Sequence, residues 1–444
     1  MERTTAGLDR GFVAVRPGRG ERVLFETVPI GSLNPYRGLR GLPADVWIIA
    51  ATTLVNRAGM MALPFLILYL TKHLGVTPSL AGIAISAYGV GGLVTAPIAG
   101  RLADRLGPYA VLRASLALSG VMLLVMPLVH HFALFLALTF LWAVVADAAR
   151  PATMSALTTA ATPEQRKAAI ALNRLAINLG MSVGPAVGGF LALVSFPLLF
   201  VVDGLTSLAA SVVLSVLLWR RGTTTTIPHP SLPPETMKGW LSSRSPVWHD
   251  RPALLFFATS FLVNLVFVQH EGAMPLYLVR DLHYRESFYG MLFVINTAII
   301  VAIEVPLNIA MSHWPARRVI PIAALLIAIG FGAMGFAQAP IPVAMTVIVW
   351  TFGEMMFFPA GTAHVAELAP AGRTGEYMGM FSASFSLALI VGPWAGAAML
   401  DRFGAPVTWG IAFTCAVAGA LVFGLGTVVS TSGRGDLRGS AIRR

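Results

Sequence analysis

Charge is scarce in this sequence: Asp, Glu, Lys and Arg make up 11% of its 444 residues, against about a quarter in an ordinary soluble domain. A soluble fold of this length needs more charge on its surface. Lipid tolerates the composition, because apolar side chains face it without cost, and 56% of the residues are apolar. Cysteine is scarcer still. Cys415 stands alone, which excludes an internal disulfide and any cysteine-based metal site. The nine histidines are scattered without ligand spacing, so no metal is expected. No G-x-x-x-x-G-K-S/T stretch occurs, which excludes ATP binding of the P-loop kind. Residues 1–43 carry several arginines but no apolar core long enough for a signal peptide; they are read as a cytoplasmic tail. Lysine occurs at three positions, Lys72, Lys167 and Lys238, so arginine carries the net charge of +11. In a soluble protein that charge would suggest nucleic acid. In a membrane chain it follows from the Lys and Arg that cytoplasmic loops accumulate, and no nucleic-acid partner is expected.

What the sequence has instead is apolar runs of about 20 residues or more, too long for barrel strands. In a bilayer the backbone groups must pair within a helix or a closed barrel, so these runs are helices. Six fall before segment 220–251 and six after it. That segment carries Thr223 to Thr226, Pro228, Pro230, Pro233, Pro234 and five basic residues, a linker composition. The expected chain is an all-α membrane protein of twelve transmembrane helices: a tail at 1–43, a six-helix lobe at 44–219, the linker at 220–251, a second lobe at 252–429 and a tail at 430–444. Basic residues orient it. With the N-terminus inside, the inner tails and loops hold 24 Lys and Arg, and the outer loops four: Lys72, Arg280, Arg285 and Arg402. Both termini and the linker are therefore expected in the cytoplasm, with the chain in the cell's inner membrane.

The two halves repeat. Trp142 to Pro151 spans nine residues, as does Trp350 to Pro359, and Gly184-Pro185 corresponds to Gly392-Pro393 at the same offset of 208. Pro97 and Pro306 match at 209, and Pro64 and Pro275 at 211. Six helices repeated in parallel orientation make two pseudo-symmetric bundles.

After the second span the chain reads Gly100-Arg101-Leu102-Ala103-Asp104-Arg105-Leu106-Gly107. Gly100 and Gly107 permit a tight turn. Asp104 is placed to cap the next helix, and Arg101 and Arg105 to pair with the other lobe. The stretch resembles the G-x-L-A-D-R-x-G loop of the major facilitator superfamily. That resemblance covers about residues 45–428 and implies a two-lobe transporter with no enzymatic activity and no cofactor. Pro108 and Tyr109 stand where the family usually has two basic residues, and the second-half counterpart has His313 at the place of Asp104. The fifth span reads Gly180-x-x-x-Gly184-Pro185-x-x-Gly188-Gly189. Small residues let helices approach and the proline bends the span, so close packing alone accounts for them. The pattern also resembles that of the family's proton-coupled antiporters, most of them exporters. Gly353-Glu354 with Pro359, and Ala369-Pro370 followed by Arg373, resemble the bacterial multidrug branch. One family feature is missing. An arginine twelve residues before the proline of the fourth span would fall on Thr139, so a proton route built on it is not available.

Ionisable residues inside a membrane are costly and mark functional candidates. Here they are Arg57, Asp147, Arg150, Arg174, Asp203, Glu271, Glu304 and Glu354. All but Asp203 fall on spans that surround the cavity in the family fold. Asp147 and Arg150 are i, i+3 partners that neutralise each other, with Arg174 a third member, and Asp203 is expected to be structural. Glu354, near the middle of the tenth span, is the first candidate for proton coupling, with Glu271 and Glu304 next. Glu304 serves lobe packing as readily as ion coupling. Arg57 lies at a similar depth on the first span, and a permanent Arg57–Glu354 pair would keep that carboxylate ionised. His270 is expected to pack, facing away from Glu271. The cavity and substrate candidates are Asn56, Arg57, Asn264, Asn296 and Trp350. Trp350 lies one turn from Glu354, either as core or as a stacking partner for an amphipathic cation.

These features support a secondary transporter in the bilayer, monomeric and driven by the proton gradient, exporting amphipathic small molecules by alternating access. A symporter importing a sugar, peptide or organic acid is the alternative reading. A non-transporting membrane sensor fits the cavity acids and lobe motifs less well.

Overall fold

The computed structural model describes residues 10–12, 27–29, 39–219, 246–370 and 373–440. Most of the expected linker and both chain ends lie outside the described residues. A short antiparallel pair, β1 (Arg10–Phe12) and β2 (Thr27–Pro29), sets Arg10 opposite Pro29. All other regular elements among the described residues are helices.

The helices follow the apolar runs. The first lobe holds α1 (Ala44–Gly59), α2 (Pro78–Leu106), α3 (Pro108–Val125), α4 (Phe132–Asp147, resuming as Ala149–Ala160), α5 (Arg166–Val194) and α6 (Pro197–Trp219). The second holds α7 (Arg251–Phe267), α8 (Glu286–Ala310), α9 (Ala316–Ala333) and α10 (Pro340–Leu368). A final helical stretch, Thr374–Ser440, leaves helical geometry at Gly404 (φ 74°), which divides it into α11 (374–403) and α12 (405–440). Ten helical stretches among the described residues are long and apolar enough to cross a membrane. One of them contains both α11 and α12. The interrupted α1 is too short on its own, and with these two adjustments the rods number the expected twelve.

Three interruptions share a cause. Proline lacks the N–H that would bond residue i−4, and its ring crowds that residue's carbonyl, at a cost of about 3 kcal/mol in a helix interior. Pro64, Pro151 and Pro275 stand four residues after Met60, Asp147 and Glu271, and the helix lapses at each of those places. Beyond its gap α1 resumes as Leu66–Leu68 and a π-helical turn, Tyr69–His73. Beyond its own gap α7 resumes as Ala273–Leu276 and a π-helical turn, Tyr277–Asp281. Pro185, Pro306, Pro321 and Pro359 sit inside continuous helices, so proline alone does not dictate a break.

Asp203 of α6 accounts for the break in α1. It is 3% exposed, and its Oδ2 accepts the backbone amides of Met61 and Ala62 at 3.2 and 3.1 Å. It thus satisfies two backbone amides of the gap from a neighbouring helix, a structural role. In the second lobe Gln269, beside the break in α7, bonds both its own helix and α11. Its Nε2 donates to the carbonyls of Leu265 and Gly392, at 3.0 and 2.9 Å.

The lobes meet through backbone. A Cβ on Gly82 of α2 would stand 2.6 Å from the Trp394 Cα in α11, and one on Gly189 of α5 would stand 2.7 Å from the Glu286 carbonyl oxygen in α8. Such approach requires glycine. The motif glycines of α5 face both ways: Gly184 and Gly188 press on α1, at Met60 and Met61, and Gly189 on α8. Close packing therefore explains them. The Gly100 expectation is corrected. Gly100 lies inside α2, and Gly107 (φ 86°) alone makes the turn. Asp104 and Arg105 belong to the last turn of α2, and Arg105 is exposed. The side chains of Arg101 and Asp104 are outside the described residues.

Candidate functional site

One end of the bundle carries Trp219 and Pro246, where the linker departs; the other carries Gly75 and His283. We call them the linker end and the far end. The far end is shut. Lys72 Nζ of the first lobe pairs with Glu286 Oε1 of the second at 2.7 Å. Fully buried Tyr289 of α8 donates to the carbonyls of Pro64 and His270, at 3.2 and 2.8 Å, so one ring joins both broken helices across the lobe boundary.

Toward the linker end the lobes enclose a cavity of about 500 Å³. The first lobe lines it with Gly92, Asp147, Arg150 and Met154; the second with Asn264 and an aromatic wall of Phe358, Phe381 and Phe385. The lapse in α4 falls at Ala148, directly after Asp147, which lines the wall. Arg150 Nη2 lies 3.6 Å from Asp147 Oδ1, the expected i, i+3 pair. Asn264 is 1% exposed, donates to Ser260 Oγ at 3.1 Å and leaves its Oδ1 without a hydrogen-bond partner among the described residues. A buried acceptor left unpaired is costly.

A smaller chamber of about 60 Å³ opens within the first lobe, lined by Thr52, Asn56, Arg57, Arg150, Thr153 and Asn173 among others. Arg150 and Met154 line both spaces, so the chamber adjoins the cavity. Asn56 donates to Ser207 Oγ in α6 at 3.1 Å, and Asn173 accepts from Thr53 at 2.9 Å.

The three expected proton-coupling acids occupy separate places in the second lobe. Glu354 Oε2 accepts from Asn296 Nδ2 at 2.9 Å, and the same nitrogen donates to Thr351 Oγ1 at 3.0 Å. Among the described residues no cation stands within ion-pair distance of Glu354, and the anticipated Arg57–Glu354 pair is not formed. Glu304 pairs with Arg174 of the first lobe, joining α8 to α5. This corrects the grouping of Arg174 with Asp147 and Arg150, and it gives Glu304 a partner across the lobe boundary. Glu271 is 8% exposed, with His270 Nε2 at 3.7 Å from its Oε1. His270 was expected to face away. The irregular turn at the break places the two neighbours side by side, an arrangement helical spacing does not give.

Trp350 is corrected as well. It is 5% exposed and packs on Phe331, Phe267 and His270, with ring centroids 5.5, 5.8 and 6.2 Å away. It belongs to the core of the second lobe and leaves no open face for a cation. The aromatic wall of the cavity comes instead from Phe358, Phe381 and Phe385, which the sequence reading passed over. Phe358 lies eight residues beyond Trp350 in α10, and nothing in its spacing separates a cavity-facing ring from a core one.

Two six-helix lobes in tandem, sealed at one end and enclosing a cavity at the other, have the two-lobe plan of secondary transporters. The chain belongs to the Major Facilitator Superfamily, whose profile matches residues 49–285 and 270–439. It is a multi-pass membrane transporter and not an enzyme. It is 25% identical to the MFS-type transporter YqjV of Bacillus subtilis (strain 168) over 379 residues, 81% of this chain and 87% of the relative. It is 24% identical to multidrug resistance protein 2 of the same organism over 340 residues, 74% and 82% of the two chains. Its fold also superposes on a POT family transporter solved with 5-aminolevulinic acid, with a TM-score of 0.72 at 14% identity, covering 88% of this chain and 97% of that one.

Proposed function

We propose that this protein is a proton-coupled antiporter that exports amphipathic small molecules, with the linker end in the cytoplasm. The observation that carries the reading is the cavity between the lobes, accessible from the linker end, shut at the far end, and walled by aromatic rings beside a charged pair. Such a wall suits molecules that join an apolar body to a polar group. The likeness to a multidrug resistance protein and the small-residue motif of α5 point the same way. The bias of basic residues favours this orientation, and in it the structure is the inward-facing state.

Glu354 is the first proton carrier in this reading. It has an amide donor and, among the described residues, no cation within ion-pair distance, so a proton is the charge-balancing partner at hand. Glu304 lies nearby with its charge committed to Arg174. A proton that arrives on Glu304 releases that bond and loosens one tie between the lobes, which biases their equilibrium.

The test is transport in proteoliposomes. With purified protein and an imposed pH gradient, a panel of amphipathic dyes should move against protons, and collapsing the gradient should stop the movement. Dye that moves with the protons would establish symport and overturn the antiport reading. A reporter active only outside the cytoplasm, fused after Gly426, should stay silent.

A further inference from the structure

The chamber beside Arg57 holds guanidinium donors that its surroundings leave poorly partnered. Two guanidinium groups, Arg57 and Arg150, line it. Asp147 and Asp203 lie within electrostatic reach of Arg57, but among the described residues neither bonds to it: Asp147 is at ion-pair distance from Arg150, and Asp203 on α6 accepts the amides of Met61 and Ala62. Arg57 presents five N–H donors, yet its one side-chain hydrogen bond among the described residues is to the Met60 thioether, at 2.9 Å. A thioether is a weak acceptor. Thr52 lines the same chamber, 1% exposed, and its Oγ1 has no partner among the described residues. Donors left unsatisfied at membrane depth are expensive. An anion is the group that satisfies them, since charge-assisted bonds to guanidinium are the strong ones.

We propose that this chamber is a subsite for the anionic group of the transported molecule, a carboxylate or sulfonate. Its apolar body then lies in the adjoining cavity across Phe358, Phe381 and Phe385. The carried molecules are on this account amphipathic acids, zwitterions included, and not plain lipophilic cations. The proposal rests on the export reading for its substrate but not on proton coupling. The same chemistry has a second source, an inorganic anion such as chloride, which would fill the chamber without being carried.

The test is equilibrium binding to the purified full-length protein in detergent. Three probes share one ring system: naphthylacetate, its primary amide and naphthylethylammonium. Each is titrated at neutral pH in gluconate and in chloride, with thermal stabilisation as the readout. Naphthylacetate should bind about tenfold more tightly than the amide, the scale of one charge-assisted interaction, and the ammonium least of all. Arg57→Gln should erase the difference between acid and amide. Arg150 is 68% exposed, so Arg150→Gln leaves packing intact and gives the same reading should Arg57→Gln fail to fold. Equal affinities, a preference for the ammonium, or an acid preference that survives both variants would overturn the proposal. So would chloride that stabilises the wild type while the probes bind alike, which would mark a site for inorganic anion alone. Failure of proton coupling appears only in the vesicle assay and leaves this binding result standing.

Discussion

The two lobes repeat in sequence and differ in charge. The intramembrane arginines singled out above, Arg57, Arg150 and Arg174, belong to the first lobe, and the glutamates, Glu271, Glu304 and Glu354, to the second. The first lobe also consumes its acids internally: Asp203 holds two amides of the break in α1 and Asp147 lies beside Arg150. Among the described residues no arginine of the second lobe stands within ion-pair distance of those three glutamates, which turn to Asn296, His270 and the borrowed Arg174. The repeat thus preserves architecture while the cavity's two sides acquire opposite chemistry. One lobe offers guanidinium groups and the other carboxylates. Substrate recognition and energy coupling can then reside on different halves of one duplicated frame.

Variants can break that contrast. The largest effect is expected from Asp203→Ala, which strips the acceptor from two buried amides. Bonds to charged groups are worth about 1.5–3 kcal/mol each, so a loss of about 3 kcal/mol should appear as a lower unfolding temperature in detergent. Asp203→Asn should recover most of it. A mild loss from Asp203→Ala would show that the acids of the first lobe are not structural.

Glu354→Gln tests the second lobe's half of the contrast. The protein should stay folded and still bind substrate, with gradient-driven transport reduced by at least about tenfold, or about 1.4 kcal/mol. Substrate affinity measured against pH should flatten in the variant. If it keeps the wild-type profile, coupling resides on Glu271 or Glu304 instead.

A smaller effect should sharpen the structural comparison. Gly75 (φ 66°) and His283 (φ 57°) occupy matching turns, 208 residues apart, after the π-helical turns of the two lobes. A left-handed conformation costs a residue with a Cβ roughly 1–2 kcal/mol. Gly75→Ala should therefore destabilise by about 1 kcal/mol, and His283→Gly should be neutral or stabilising. Equal outcomes at both turns would mean that some contact of His283 offsets its strain.

The smallest effect concerns the one arginine the lobes share. Arg174 is 56% exposed, so solvent screens the pair and its contribution to stability should stay below about 1 kcal/mol. Arg174→Glu should slow transport, and adding Glu304→Arg should restore it. A double variant as slow as the single one would show that the cross-lobe bond has no part in the cycle.

Much of the fold was legible because lipid imposes so few solutions: apolar runs gave the helices, and proline spacing gave the repeat. The i, i+3 relation gave Asp147–Arg150, and the peripheral position of Asp203 gave its structural role. What stayed hidden depends on docking or on broken geometry. Arg174 finds Glu304 only when α5 meets α8, a contact no intrahelical spacing encodes. His270 reaches Glu271 because helical order lapses between them. Trp350 and Phe358 carry the same kind of side chain on one helix, and only packing decides which becomes core and which becomes wall. Gly100 reads as a turn residue, yet the helix continues through it, because glycine permits a turn without requiring one.

Tyr289 carries a consequence for the opening of the far end. Its hydroxyl has one proton and two carbonyl partners, one in each broken helix. When the lobes part there, Tyr289 stays with His270 in its own lobe, the Pro64 oxygen loses its donor, and water is the partner that can replace it. Opening on that side is therefore an act of hydration. Its equilibrium should follow water activity, and solutes too large to enter the gap should hold the protein in the state seen here.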